Sequence, residues 1–248
     1  MFTGKNVVIT GAGRSIGSAL ALGFAKQGAT VLVHYFASHQ GADEVVAQIT
    51  ESGGHASSIQ ADLRHSQEIT RLVTVAHERL GPIDTWINNA GASANSAETK
   101  GMSEVEIFER MVGVDILGTW RCCREVEPYM CDGGCILTTG WDRALDGGPG
   151  LPNQMYAISK GAIMSLTRCL AAEFAPRIRV NCIAPGRIEN TWSQSLSTPV
   201  RQGAIQSIPL KRWGTPDDIV GTALFLASPA ASFITGQTIL VNGGEIMR

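Results

Sequence analysis

The sequence predicts an α/β fold in which one doubly wound parallel sheet is covered by helices on both faces. Short, nearly all-apolar segments such as Val7-Val8-Ile9-Thr10 are typical of strands that are buried on both faces. Segments with helical periodicity separate these strands, as the crossovers between parallel strands require. No linker, repeat or low-complexity segment interrupts the alternation, so residues 1–248 are predicted to form a single domain.

The N-terminal half alternates strand and helix. The first strand leads into a helix through 19–25, which ends at Gly28 because glycine commonly terminates helices. Apolar and β-branched runs then indicate strands, and the 3.6-residue repeat of apolar positions indicates helices. We predict a strand at 29–35, a helix near 43–50, a strand near 56–60, a helix at 66–80 and a strand at 83–88.

The same patterns continue in the C-terminal half. We predict a long helix from about 103 to 130, a strand at 135–139, a helix through Tyr156 to about 174, a strand at 178–183, a short helix near 215–227 and a strand at 238–241. In a sheet of this kind, ligands lie beyond the carboxyl ends of the strands. Functional residues are therefore expected directly after strands.

Composition narrows the possible functions. The 248 residues carry a formal net charge of −2, and 44% of them are hydrophobic and 17% charged. Without a basic block, nucleic acid and anionic membranes are not expected as partners. The apolar runs are too short for a membrane helix, and the first ten residues lack the apolar region of a signal peptide, so a cytoplasmic protein is expected.

The six cysteines do not suggest a metal or disulfide site. They have neither Cys-x-x-Cys spacing nor a histidine at ligand spacing. We expect reduced thiols that behave as small hydrophobic side chains, and no metal.

A glycine-rich turn follows the first strand. Gly11, Gly13 and Gly17 permit a tight turn and a close approach of the backbone to a ligand. The helix that follows presents free amides and the positive end of its dipole to a diphosphate. Because a strand precedes this turn and a helix follows it, the turn predicts nucleotide binding.

Tyr156 and Lys160 lie one helical turn apart and therefore face the same way. The ammonium group of Lys160 would favour the phenolate of Tyr156, whose pKa is ordinarily about 10. We expect this pair to exchange a proton nearer neutral pH.

Taken together, the motifs resemble those of the short-chain dehydrogenase/reductase family along the whole chain. The resemblance rests on the turn Thr10–Gly17, Asn88-Asn89-Ala90-Gly91, the Tyr156/Lys160 pair, Arg179-Val180-Asn181 with Pro185-Gly186, and the tail from Arg212 to Gly244. It implies a Rossmann-like fold and a nicotinamide coenzyme. The coenzyme-binding residues that it implies are Gly11, Arg14, Ser15, Ile16, Gly17, Tyr35, Ser38, Asp62, Leu63, Asn89, Ala90, Gly91, Tyr156, Lys160, Pro185, Gly186 and Ile188.

The resemblance assigns these residues to parts of the coenzyme. Asp62 would accept a hydrogen bond from the adenine amino group, or it would instead cap the helix that starts at Ser66. The backbone of 89–91 would pass the adenine-side ribose, and Pro185, Gly186 and Ile188 would lie along the nicotinamide.

The choice of coenzyme depends on the residues after the second strand. An acidic residue there would hold the ribose 2′-hydroxyl group and repel a 2′-phosphate. The segment 34–39 has none, and the first carboxylate is Asp43. Arg14 and the Ser38 hydroxyl suit a phosphate, although Arg14 is also interpretable as a solvated turn residue. We predict NADP(H) in preference to NAD(H).

Two residues depart from the family pattern within otherwise matching motifs. The family's Asn that helps to hold a water behind the Lys is Asp115 here, which can hold the same water but, when ionised, only accepts hydrogen bonds. We assign Asp115 a catalytic role beside Tyr156 and Lys160. The family's middle glycine is Ser15 here, which is tolerable if the backbone φ stays negative.

A third departure concerns the substrate. The segment Thr138-Thr139-Gly140-Trp141-Asp142 lacks the family's serine that hydrogen-bonds the substrate carbonyl. Asp142 would replace it as an aspartate does in the family's pteridine reductases, or the Thr139 hydroxyl or the Trp141 indole would do so. Alternatively, Trp141 only packs and Asp142 is a loop carboxylate. We predict Trp141, Asp142 and Trp192 as substrate residues, near the loop 146–150 and a mobile lid at 189–195.

The implied activity is NADP(H)-dependent interconversion of a carbonyl and an alcohol, with Tyr156 as acid and base assisted by Lys160. A 3-oxoacyl reductase is the commonest assignment for such chains. The alternatives are a pteridine-reductase-like activity through Asp142 and a catalytically impaired coenzyme-binding sensor or assembly protein. The family also implies a homotetramer or homodimer, and the apolar run 163–172 is compatible with such an interface or with the core.

Overall fold

The computed structural model describes residues 1–94 and 97–247, apart from the side chain of Ala97. Its sheet has seven parallel strands in the order β3-β2-β1-β4-β5-β6-β7. The strands are β1 (Asn6–Ile9), β2 (Thr30–Tyr35), β3 (His55–Gln60), β4 (Ile83–Asn88), β5 (Met130–Thr139), β6 (Ile178–Pro185) and β7 (Thr238–Val241). The predicted fold class, a Rossmann-like doubly wound parallel sheet, is confirmed.

Helices cover both faces of the sheet. They are α1 (Ser15–Lys26), α2 (His39–Glu51), α3 (Ser66–Leu80), α4 (Glu104–Met111), α5 (Thr119–Val126), α6 (Leu151–Phe174), α7 (Thr191–Ser195), α8 (Thr198–Ser207) and α9 (Pro216–Ala227). Side chains alternate between the two faces of each strand. Val7 therefore packs in the cluster that contains Phe24 of α1, whereas Val8 packs with Leu72 of α3 and Phe174 of α6.

The predicted long helix from 103 to 130 is not one regular helix. A π-helical segment, Val112–Gly118, joins α4 to α5, and a 3₁₀ turn at Glu127–Tyr129 follows. The capping box of Ser103 and Glu106 fixes the start of α4. Met130 already belongs to β5, which pairs Met130 with Ile83 of β4. The π-helical segment matters because it carries Asp115.

Helices α7 and α8 were not predicted from the sequence. The segment 189–195, expected to be a mobile lid, contains α7, whose Asn190 and Ser193 form a capping box. Helix α8 has a proline in its first turn and no buried residue. Such a helix lacks the apolar periodicity on which the sequence prediction depended.

The apolar run 163–172 lies in α6 and contributes to the core. Ile163, Met164, Leu170 and Ala171 are all at most 4% exposed. All six cysteines are free thiols, and those at 122, 123, 135 and 182 are buried. No helix within residues 1–94 and 97–247 has the length and apolar character needed to cross a membrane.

Candidate active site

The glycine-rich turn between β1 and α1 lies where the strand order reverses, because β1 pairs with β2 on one side and β4 on the other. Gly11 has a φ of +64°, and a Cβ there would lie 2.8 Å from the Cα of Ala90. A Cβ on Gly17 would lie 2.2 Å from the carbonyl oxygen of Gly11. The turn therefore needs glycine at both positions.

The strand ends of β1 and β4 are joined by a hydrogen-bond lock. The backbone amides of Asn89 and Ala90 each donate to Oγ1 of Thr10 at 3.0 Å. The Asn89 side-chain amide donates to the carbonyl oxygens of Thr10 and Gly11 at 3.0 and 3.1 Å. These bonds fix the Asn89-Ala90-Gly91 backbone against the glycine-rich turn.

His34, which the sequence analysis did not single out, supports the same turn from β2. The amide of Gly11 donates to Nδ1 of His34 at 3.1 Å, and Nε2 lies 3.0 Å from the carbonyl oxygen of Ala61. This pattern requires neutral imidazole with its proton on Nε2. Burial lowers the pKa of His34 to about 4. The sequence offered one signal of this role, namely a titratable residue within the apolar run 31–35.

Ser15 does not meet the condition under which it was expected to be tolerable. Its φ is +52°, in the left-handed region, rather than negative. A non-glycine residue is strained there because its Cβ crowds the backbone. The sequence could not reveal the sign of φ, since the residue type at position 15, serine instead of the family's glycine, does not fix the backbone conformation.

A cavity of about 260 Å³ lies over these strand ends. It brings together most of the predicted coenzyme-binding residues, namely Gly11, Arg14, Ser15, Ile16, Gly17, Tyr35, Ser38, Asp62, Leu63, Asn89, Ala90, Gly91, Tyr156 and Lys160. Pro185, Gly186 and Ile188 do not line it. The amide of Gly186 donates to the carbonyl oxygen of Val241 at 3.0 Å. Ile188 lines a separate cavity of about 120 Å³.

Two arginines, Arg14 and Arg110, share one carboxylate, Glu98, in the wall of the cavity next to Phe36. The Ser38 hydroxyl is buried and has no hydrogen-bond partner among the described residues. Nη2 of Arg14 lies 3.5 Å from Oε1 of Glu98, whose other oxygen contacts Nη2 of Arg110 at 2.5 Å. Glu98 and Arg110 both line the cavity, and the sequence analysis missed them because they belong to no motif.

Asp62 lines the cavity, but its carboxylate is held by Arg64. Nε of Arg64 donates to Oδ1 of Asp62 at 2.9 Å, and the Arg64 amide donates to the same oxygen at 3.0 Å. Burial raises the pKa of Asp62, but the hydrogen bonds from Arg64 outweigh it and hold the pKa below its usual range. The residue that precedes α3 is His65 and not Asp62, so the carboxylate does not cap that helix.

Tyr156 and Lys160 line the other end of the cavity, and the buried Asp115, which does not line it, pairs with Lys160. Nζ of Lys160 lies 3.2 Å from Oδ2 of Asp115 and 5.6 Å from the ring centroid of Tyr156. Oδ1 of Asp115 accepts a hydrogen bond from the Ala92 amide at 2.8 Å. A Cβ on Gly91 would lie 3.2 Å from both Nζ of Lys160 and Oδ1 of Asp115, so the backbone passes directly over this ion pair.

The charges at this end do not lower the pKa of Tyr156 as expected. Burial raises that pKa, Lys160 opposes the rise and Asp115 adds to it, so the pKa lies above its ordinary value. Burial would lower the pKa of Lys160, but Asp115 and Tyr156 outweigh it and raise the pKa. The expectation of a lowered Tyr156 pKa is wrong because it did not include the burial of the phenol, to whose effect the Asp115 carboxylate adds.

Comparison with known proteins places this arrangement in a family. A family model described as enoyl-(acyl carrier protein) reductase matches residues 11–245. The chain is similar to a 3-oxoacyl-[acyl-carrier-protein] reductase from Staphylococcus epidermidis, with 36% identity over 247 residues that cover 98% of this chain and 99% of that protein. The chain belongs to the short-chain dehydrogenase/reductase family. It is accordingly an NAD(P)-dependent oxidoreductase.

Solved structures of short-chain dehydrogenases/reductases have the same fold. One from Brucella melitensis, described as a glucose/ribitol dehydrogenase, has a TM-score of 0.90 and 33% identity, and the match covers 100% of this chain and 98% of that one. A blue fluorescent protein from a metagenomic library, in complex with NADPH, has a TM-score of 0.90 and 29% identity, and the match covers 99% of each chain.

The residues present fit the dinucleotide that this family uses. The glycine-rich turn leaves no side chain at Gly11 or Gly17 between the backbone and a ligand, and α1 begins at this turn. The N-terminal first turn of α1 contains no acidic residue that would repel a diphosphate. The buried, unpartnered Ser38 hydroxyl adds a polar group at one end of the cavity, within the described part of the chain.

The structure separates the candidates for the role of the family's serine. A Cβ on Gly140 would lie 2.8 Å from Sγ of Cys182, so this position faces the core. Asp142 is 1% exposed, and its Oδ2 accepts a hydrogen bond from the Asn242 side chain at 3.2 Å. Thr139 lines the cavity with Tyr156, whereas Asp142 does not.

The other two predicted substrate residues, Trp141 and Trp192, occupy environments that differ from each other and from that of Asp142. Trp141 packs edge-on against Tyr156, with ring centroids 5.2 Å apart, and also contacts the small cluster that contains Met164. Trp192 is 47% exposed on α7. Of these, Trp141 is the residue in contact with the catalytic end, and neither tryptophan lines the main cavity.

Proposed function

We propose that this short-chain dehydrogenase/reductase interconverts a carbonyl and an alcohol with NADP(H), using Tyr156 as the general acid and base. The observation that supports it is a single cavity lined by the glycine-rich turn and by Tyr156 and Lys160, with the buried Asp115 paired to Lys160. When bound, the nicotinamide supplies the hydride, and the protein supplies position and protons.

Tyr156 would donate the proton of its phenol to the carbonyl oxygen in reduction and would recover it in oxidation. The raised pKa keeps the phenol protonated at neutral pH, which suits the direction of carbonyl reduction. Lys160 stabilises the phenolate that forms, because its ammonium lies over the Tyr156 ring. Asp115 holds Lys160 in place through the ion pair and moderates its charge.

The preference for NADP(H) is supported by the residues after β2. Phe36, Ala37 and Ser38 line the cavity there and include no carboxylate. Arg14 stands beside this segment, and the Ser38 hydroxyl has no partner among the described residues. A 2′-phosphate would supply charged acceptor oxygens for both groups, whereas a 2′-hydroxyl group is neutral.

Thr139 is our candidate for the group that hydrogen-bonds the substrate carbonyl. It ends β5 and shares the cavity with Tyr156, unlike Asp142. A hydroxyl at this position supplies the donor that a serine would supply. The loss of one such donor typically costs about 10²–10³ in rate, so Thr139→Val should reduce kcat by about that factor.

We infer that 3-oxoacyl thioesters are the first substrate class to test, because a similar protein is named 3-oxoacyl-[acyl-carrier-protein] reductase. The burial of Asp142 against Asn242 removes the support for a pteridine-reductase-like site through that carboxylate. A catalytically impaired coenzyme-binding protein remains the second candidate, since the segment Gly140-Trp141-Asp142 after β5 lacks the family's serine.

The decisive experiment follows nicotinamide absorbance with NADPH or NADH and a panel of 3-oxoacyl thioesters, simple ketones and pterins. We expect turnover of a carbonyl with NADPH, and at least a 10²-fold loss in Tyr156→Phe with coenzyme affinity retained. Tyr129→Phe is the matched control because Tyr129 is partly exposed and lies outside the cavity. Coenzyme binding without any turnover would establish the impaired protein instead.

The oligomeric state is a separate proposal. By analogy with its family, we propose a homotetramer or a homodimer. Size-exclusion chromatography with light scattering measures it, and a mass of about one chain would refute it.

A further inference from the structure

One carboxylate is shared by two arginines at the β2 end of the cavity. Glu98, in the 3₁₀ turn Ala97–Thr99, contacts Arg14 of the glycine-rich turn through Oε1 at 3.5 Å and Arg110 of α4 through Oε2 at 2.5 Å. All three side chains line the cavity. The two guanidinium groups therefore converge on one carboxylate, each on a different oxygen.

Arg110 is the unusual member of this cluster. Its side chain is only 9% exposed, and its Nε has no hydrogen-bond partner among the residues that the structure describes. The Arg14 side chain, by contrast, is 70% exposed. A buried guanidinium N–H without an acceptor is costly, and in Arg110 the Glu98 carboxylate satisfies Nη2 but leaves Nε unmet among the described residues. A larger anion with more oxygens would suit Arg110 better than Glu98 does.

The surroundings of Arg110 place it next to the segment that follows β2. Its Cζ lies 5.5 Å from the ring centroid of Phe36, and Phe36 precedes by two residues the buried, unpartnered hydroxyl of Ser38. The same wall of the cavity thus holds two buried polar groups without partners in the described part of the chain. Both the Ser38 hydroxyl and Nε of Arg110 can donate to a phosphate, and neither has an acceptor among the described residues.

We propose that Arg110, together with Arg14, forms a two-arginine subsite for the 2′-phosphate of the coenzyme, and that Glu98 occupies this subsite until a phosphate displaces it. The proposal rests on the proposed use of NADP(H). A phosphate dianion balances both arginines, whereas a ribose 2′-hydroxyl group carries no charge with which to displace the carboxylate. Glu98 therefore selects against ligands that lack the phosphate.

The test measures binding by calorimetry, without turnover, using 2′,5′-ADP and 5′-AMP as probes. Wild type should bind 2′,5′-ADP more tightly than 5′-AMP. Arg110→Gln should reduce that affinity ratio at least tenfold, mainly by weakening 2′,5′-ADP. Arg79→Gln is the matched control, because Arg79 is near the far end of α3 and its guanidinium donates to the carbonyl oxygen of Ser58. It should leave the ratio within twofold.

Glu98→Gln tests displacement separately. Removing the competing carboxylate should strengthen 2′,5′-ADP binding about threefold or more, with 5′-AMP unchanged. If Arg110→Gln alone folds poorly, the double variant Arg110→Gln/Glu98→Gln replaces it, because it leaves no unpaired charge at this pair. Its ratio of 2′,5′-ADP affinity to 5′-AMP affinity should be lower than the ratio of Glu98→Gln alone. Thermal melting reports whether each variant is folded.

The outcomes separate this proposal from the proposed function. If Arg110→Gln weakens both probes equally, or neither, Arg110 does not bind the phosphate and the proposal is overturned while NADP(H) use stands. If Glu98→Gln weakens 2′,5′-ADP selectively, displacement is wrong. If wild type binds 5′-AMP as tightly as 2′,5′-ADP, the coenzyme preference itself fails.

Discussion

Acidification below pH 6.5 should destabilise this protein through His34. An ordinary histidine has a pKa of 6.5, and burial lowers that of His34 to about 4. Between these values the unfolded chain binds a proton that the folded chain does not, so the free energy of unfolding falls as the pH falls. Each pKa unit corresponds to about 1.4 kcal/mol, so the loss is about 2 kcal/mol at pH 5 and approaches about 3 kcal/mol below pH 4.

The physical cause is the hydrogen-bond pattern of His34. Nδ1 accepts from the Gly11 amide, and a protonated imidazole has no acceptor to offer it. Urea unfolding at a series of pH values measures the effect. In His34→Gln, the slope of unfolding free energy against pH between 6 and 4.5 should fall by about 1.1 kcal/mol per pH unit, because the unfolded chain there binds about 0.8 proton more than the folded chain.

The exposed His55 of β3 provides the control for this experiment. His55→Gln should leave the slope unchanged, because no buried hydrogen bond depends on that imidazole. The reasoning is refuted if His34→Gln and wild type lose stability in parallel as the pH falls. The same titration should weaken coenzyme binding, since the Gly11 turn is the part of the site that His34 supports.

Three further substitutions follow from the site. Asp115→Asn leaves Lys160 unopposed beside Tyr156, so the apparent pKa in the pH profile of kcat/KM for alcohol oxidation should fall by about 1 unit, and an unchanged profile contradicts this. Ser15→Gly removes left-handed strain and should stabilise the fold by up to about 1 kcal/mol, seen as a higher Tm by about 2–4 °C, whereas a lower Tm contradicts it. Asp142→Asn should change kcat by less than about threefold because Asp142 bonds Asn242 and not the cavity, and a 10²-fold loss would restore the pteridine-reductase-like mechanism.

The sequence was most informative where an apolar run stood between clear boundaries. The strands at 83–88 and 238–241 were predicted with the bounds that the structure has. Most residues of both strands are β-branched or aromatic, which favours strands in the buried β4 and in the half-buried edge strand β7 alike. Helix α8 escaped prediction because none of its residues is buried, and the π-helical segment escaped because its extra residue per turn has no counterpart in composition.

The residues of the candidate site that belong to sequence motifs were predicted, and those outside motifs were not. Tyr156 and Lys160 were found because one helix carries both, and Asp115 was found because its position in the family pattern is fixed. Arg110 and Glu98 belong to no motif and meet Arg14 only through the folding of distant segments. Pairing between side chains far apart in the chain is not readable from one sequence.

The two ends of the cavity share one electrostatic design. Asp115 pairs with Lys160 at the catalytic end, and Glu98 pairs with both Arg14 and Arg110 at the other. A carboxylate that pairs with a buried cation stabilises the fold, because an unpaired buried charge is strongly destabilising. The same carboxylate weakens the field that a phenolate or a phosphate would feel.

Stability and function therefore oppose each other at both positions. Asp115→Asn and Glu98→Gln should each lower Tm while strengthening, respectively, phenolate formation at Tyr156 and binding of the phosphate-bearing probe. The effects should be independent, because the two carboxylates pair with different cations. A double variant in which the two changes in unfolding free energy add to within about 0.5 kcal/mol would support separate networks, and a large departure from additivity would show that the two ends are coupled.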